Sequence, residues 1–62
     1  MNKTLKAIRI SKGYTQKAIS ELLKISIRQY QRYETGTVIP SVSIAKKISN
    51  ILNVKIEDIF NE

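Results

Sequence analysis

A chain of 62 residues has room for one domain with a small core, near the lower limit of what folds without disulfides, metals or a partner copy. It contains no cysteine and no histidine, which excludes disulfide staples, thiolate and imidazole metal sites, and every catalytic device that needs either side chain. The net charge of +6 is unevenly placed: residues 1 to 33 carry eight Lys or Arg against one acid (+7), and residues 34 to 62 carry three against four (−1). Such a balance indicates one basic face for phosphates and a more neutral end with another task.

In chain order, the opening MNKTLKAIRI lacks the continuous apolar segment of a signal peptide, and no later run is long enough to span a membrane. We therefore expect a soluble, cytoplasmic protein. Asn2 or Thr4 caps a first helix that runs to about Lys12, with Leu5 and Ile8 on its buried side and Ile10 fitting that stripe poorly. Lys3, Lys6 and Lys12 belong to its solvated side, and Gly13 is placed for a left-handed C-terminal residue. Tyr14 is assigned to the core, Thr15 is a suitable N-cap, and Gln16 then opens a second helix. Ile19, Leu22 and Leu23 at i, i+3, i+4 form its apolar stripe, with Lys17, Ser20 and Glu21 elsewhere. The stripe stops at Lys24, and Ser26 with Gln29 three residues later spells a capping box for a third helix. Residues 16 to 36 thus hold two short amphipathic helices meeting at a tight turn.

In the third helix Tyr30 and Tyr33 lie one turn apart and read as core, with Ile27, Arg28, Gln31 and Arg32 on the opposite face. Arginine offers a planar fork matching guanine O6 and N7, glutamine pairs with both an acceptor and a donor on adenine, and an aliphatic side chain touches the thymine methyl. An ordinary solvated helix face is the bland alternative. Gly36 ends this helix. Thr37 to Ile39 form a loop whose backbone N–H groups are candidates for a phosphate, and Pro40 holds Ile39 extended before the cap Ser41. Ile44, Ala45, Ile48, Ile51 and Leu52 follow at helical spacing, with Lys46, Lys47 and Ser49 outside and Asn53 as a left-handed terminus. Val54, Ile56, Ile59 and Phe60, set among Lys55, Glu57, Asp58 and Glu62, make a last short helix. Adjacent Glu57 and Asp58 point in different directions and form no acid–base pair, so nothing here argues for an enzyme. Nor does the chain call for a cofactor or a small-molecule ligand. Its basic helices lack the aromatic rim of a membrane-surface helix.

Arg9, the run Gly13-Tyr14-Thr15-Gln16, Ile25-Ser26, the run Arg32-Tyr33-Glu34-Thr35-Gly36, Pro40-Ser41, and Asn53-Val54 through Asp58-Ile59-Phe60 stand in an order and spacing that covers nearly the whole chain. In these residues the sequence resembles the lambda-repressor-like helix-turn-helix family, the phage repressor and Cro type of DNA-binding domain. The resemblance implies an all-α domain of five short helices spanning 1–62, with the helix-turn-helix unit at about 16–36. It implies a structural ion pair between Arg9 and Glu34. Its base contacts map onto Ile27, Arg28 and Arg32, with Gln31 and Gln29 as supporting polar groups, and its phosphate contacts onto Gln16 and Ser26. From the residues themselves we add Gln31 to the base contacts, and Lys17, Gln29 and Thr37 to the phosphate contacts.

The partner implied is double-stranded DNA, bound in the major groove at an inverted-repeat operator by a homodimer. The apolar surplus of the tail, residues 54–62, suits that dimer, with Ile51, Ile56, Ile59 and Phe60 as interface candidates. Repression by promoter occupancy is the expected action. The same fold also serves antitoxins and other protein-interaction modules, and controllers of restriction-modification systems. Two residues depart from the family pattern: Lys24 stands where glycine is usual in the turn, and Ser20 where alanine is usual in the second helix.

Overall fold

A computed structural model describes residues 3–60, the side chain of Lys3 excepted. Five helices follow one another: α1 (Lys3–Ser11), α2 (Gln16–Leu23), α3 (Ile27–Thr35), α4 (Val42–Leu52) and α5 (Ile56–Phe60). The described residues contain no strand, and no described helix is long and apolar enough to cross a membrane.

Each boundary has a local cause. The hydroxyls of Thr15, Ser26 and Ser41 accept the backbone N–H groups of Ala18, Gln29 and Ile44 at 3.0, 3.0 and 3.3 Å, satisfying donors that a helix start otherwise leaves orphaned. Positive φ occurs at four described residues, Gly13 (84°), Lys24 (59°), Gly36 (81°) and Asn53 (56°), each terminating the helix before it. At the start of α1, Thr4 already lies inside the helix and so is not its cap; Asn2, the other candidate, lies outside the described residues. The capping box of α3 is only half made among the described residues. Ser26 caps, but the Gln29 amide runs along the helix and donates to the Tyr33 hydroxyl at 3.4 Å instead of returning to the Ser26 N–H.

The helices close around Leu5, Ile19, Leu23, Tyr30, Tyr33, Ile48, Leu52 and Ile59, with Ile8, Tyr14, Ile25, Val38, Ile44, Ile51, Val54 and Phe60 packed partly buried against them. α1 lies against α3 and α5, α2 against α3 and α4, and α4 against α5. The two tyrosine rings meet edge to face, 6.4 Å apart at 85°, an arrangement favoured by their quadrupoles.

Three burial expectations are corrected. Leu22 is 55% exposed, because the inward side of α2 is centred between Ile19, Leu23 and Ser20, and Leu22 lies around the helix from it. Ser20 and Ser49 are buried instead of solvated. Each satisfies its hydroxyl on the carbonyl three residues earlier, Lys17 and Lys46, at 2.8 Å, so a small side chain enters the interior without an unpaired donor.

Candidate nucleic-acid interface

The α2–α3 unit is built by one sharp reversal. At Lys24 the chain turns left-handed, its N–H bonding to Glu21 O, while Ile25 N–H reaches Ser20 O at 3.1 Å. Ser26 then restarts the helix. A left-handed lysine costs roughly 1 kcal/mol relative to glycine, and the position is exposed. Lys24→Gly is therefore expected to raise the free energy of unfolding by up to about 1 kcal/mol, measurable as a higher urea midpoint at unchanged slope.

Burying Tyr30 and Tyr33 fixes which way α3 faces. Arg28, Gln31 and Arg32 stand exposed on the far side, and Ile27 at its start is 43% exposed. Lys17 and Lys24 are exposed as well. Among the described residues Arg9 and Glu34 form the sole ion pair, so Arg28, Arg32, Lys17 and Lys24 present cations that no described carboxylate neutralises. An exposed face with two guanidinium forks, one amide and one aliphatic group has the donor and contact types of a base-edge reader.

Behind this face lies a polar spine. Arg9 Nε donates to Glu34 Oε2 at 2.5 Å and its Nη1 to the Tyr14 carbonyl at 2.7 Å. Gln16 Nε2 donates to Glu34 Oε1 at 3.0 Å, and Gln31 Nε2 donates to Gln16 Oε1 at 3.1 Å. Both ionic side chains are nearly closed off from water, 9% and 5% exposed. Burial pushes the Glu34 carboxyl upward, but hydrogen bonds from Arg9 and Gln16, with the charge of Arg9, outweigh it and hold the pKa below its ordinary 4.5. The Tyr30 phenol is pushed far up, first by burial and then by the neighbouring Glu34 carboxylate. Its hydroxyl faces that carboxylate without reaching a well-directed hydrogen bond to any described residue.

The structure brings together the ion pair, Gln16 and Gln31, and places Ile27, Arg28 and Arg32 beside them on the α3 face. Gln16 is half-buried and already engaged at both ends of its amide, leaving one N–H for an outside acceptor. Ser26 uses its oxygen as acceptor for the cap and keeps its hydroxyl donor. Gln29 is half-buried, its amide turned to Tyr33.

Thr37 differs from expectation. The N–H groups of Thr37 and Val38 both donate to Arg32 O, at 3.0 and 3.3 Å, closing the end of α3. Neither amide is left for a phosphate, and only the exposed Thr37 hydroxyl, 2.9 Å from that of Thr35, remains at this residue. In the tail, Ile59 is 3% exposed and closes the core of its own chain, so it offers no surface to a second copy. Ile51, Ile56 and Phe60 are half-buried. The Gln16–Gln31 contact has no signature in sequence. It joins residues 15 positions apart, and only the packing of α2 on α3 puts them within reach.

Residues 5–59 match the family model described as Helix-turn-helix. Among curated proteins of Bacillus subtilis (strain 168), the chain is 42% identical over 50 residues to the SPbeta prophage-derived HTH-type transcriptional regulator YonR, and 38% identical over 66 residues to the HTH-type transcriptional regulator YqaF. These alignments cover 81% and 100% of the chain. It spans 46% of YonR's length and 87% of YqaF's. A third HTH-type transcriptional regulator of that organism, YgzD, is 30% identical over 97% of the chain. With the turn at Lys24, the caps at Thr15 and Ser26 and the Arg9–Glu34 pair in place, the chain belongs to the lambda-repressor-like helix-turn-helix family.

Proposed function

We propose that this chain is a sequence-specific, double-stranded DNA-binding transcriptional regulator, a repressor that acts as a homodimer on an inverted-repeat operator. The observation that carries the reading is the exposed face of α3, where Ile27, Arg28, Gln31 and Arg32 stand together with no ion partner among the described residues. Inserted in the major groove, this face places guanidinium and amide groups against base edges, which differ for all four base pairs. Lys17, the remaining N–H of Gln16 and the Ser26 hydroxyl flank it as phosphate contacts that fix register. Gln29 and the Thr37 hydroxyl take lesser parts. Relatives named as transcriptional regulators support the same reading.

Two copies would set their α3 helices in successive major grooves, about one helical turn or roughly 34 Å apart. Ile51, Ile56 and Phe60, apolar and half-buried at the α4–α5 end, are the proposed dimer contacts. Occupancy of promoter DNA then represses.

Selection of bound duplexes from a random library at two salt concentrations, with the mass of the complex determined alongside, tests this reading. Enrichment of an inverted repeat by a two-copy complex supports it. Steeply salt-dependent binding without enrichment reduces the face to phosphate binding alone, and absence of binding moves the fold to protein interaction. At residue level, Arg32→Ala is expected to cost about 1–3 kcal/mol and relax the preference at one base position. Lys17→Ala should weaken all sequences alike and lower the salt slope by about one. Identical behaviour of the two variants in a competition titration would void the division between base and phosphate contacts.

A further inference from the structure

Of the four side chains on the α3 face, Gln31 is the one tied to the interior, and the tie has a direction. An arginine only donates and a carboxylate only accepts. Glu34, held by Arg9 through Oε2, therefore obliges Gln16 to present Nε2 to Oε1. Once that NH2 is turned inward, Gln16 Oε1 points at Gln31, and Gln31 must in turn present its own Nε2. The polarity of both amides is thus dictated from the ion pair outward, along contacts of 2.5, 3.0 and 3.1 Å. Gln31 retains an unengaged Oε1 and one N–H, the acceptor and donor that adenine N6–H and N7 require. An untethered surface glutamine presents that pair in either order.

We propose that Gln31 specifies adenine at one position of the half-site, and that Gln16, anchored on Glu34 and Arg9, is the positioning residue that sets its amide. This assignment rests on the DNA-reading function proposed above. Arg9 and Glu34 then have a second role beside holding α1 to α3: they orient a group at the surface without touching DNA.

The test compares base preferences of wild type, Gln16→Ala and Glu34→Gln on a randomised operator library, with side-chain amide NMR of the free proteins and a thermal melt of each. Gln16→Ala leaves the ion pair intact and so keeps a folded control should Glu34→Gln unfold. Its loss of a phosphate contact lowers affinity for every sequence alike. On top of that uniform loss, the preference for adenine at one position is expected to fall at least about fivefold, while positions read by Arg28 and Arg32 change less than about twofold. The Gln31 amide signals of the free protein should also shift. A uniform loss at all positions, or unchanged Gln31 signals in Gln16→Ala, would overturn the positioning role. A wild type that enriches no sequence fails before any variant is compared and overturns the DNA-reading function together with this assignment.

Discussion

Arg9→Ala is expected to destabilise the domain by about 3 kcal/mol, the lower part of the range for breaking a buried ion pair. The loss comes less from the missing attraction than from Glu34, 5% exposed in the intact pair, which loses its main donor. The lower figure applies because the domain is small, with a radius of gyration of 10.1 Å, so that water reaches the carboxylate once the arginine side chain is removed. Urea unfolding followed by circular dichroism checks it. Replacing both partners by apolar residues, Arg9→Met with Glu34→Leu, should be far milder than either single change, and a double variant as unstable as Arg9→Ala would refute this account.

The same carboxyl imposes an acid dependence. Its folded pKa lies below the ordinary 4.5, so its stabilisation is fully present above that value and is lost as pH falls toward the folded pKa. Glu34→Gln should flatten that acid limb while lowering stability at neutral pH.

Ile48→Ala is expected to cost about 2–5 kcal/mol. Ile48 has no exposed surface and lies in the central cluster on α4, the helix that packs on both α2 and α5. Removing three carbons leaves a cavity that short, mutually braced helices collapse into poorly. In a chain of this size the loss approaches the whole stability. The variant should melt near or below physiological temperature in a calorimetric scan, whereas Val42→Ala, at 72% exposure, should melt within a few degrees of wild type.

Much of this architecture is legible in the sequence because its punctuation is local. Thr15, Ser26 and Ser41 cap through hydroxyls three residues from their targets, and Gly13, Gly36 and Asn53 terminate helices through their own backbone freedom. Lys24 is different: no propensity marks it, and the turn there is visible only because an apolar stripe ends just before a new cap begins.

What escaped the sequence depends on neighbours. Leu22 and Ser20 exchange places because the approach of α3 selects which side of α2 is covered, and hydropathy alone favours the leucine. Ser49 is buried for a similar reason, its hydroxyl bond to Lys46 O being invisible in composition. The Thr37 and Val38 amides are consumed by the end of α3, which a reading of the loop as free backbone does not anticipate. Ile59 reads from the sequence as a partner contact, and only the packing of α5 against α1 and α4 puts it in the core. Within the candidate interface, the exposed face of α3 followed from the two tyrosines, whereas the Gln16–Gln31 link required the fold.

The capped boundaries also govern time. Each helix carries its own start and stop signals, and the joining loops are short, so most decisions are taken between residues near in sequence. Chains of this kind cross their folding barrier in about microseconds to milliseconds. The Arg9–Glu34 contact spans 25 positions and cannot close until α1 and the end of α3 have met, which makes it a late latch whose loss should speed unfolding more than it slows folding.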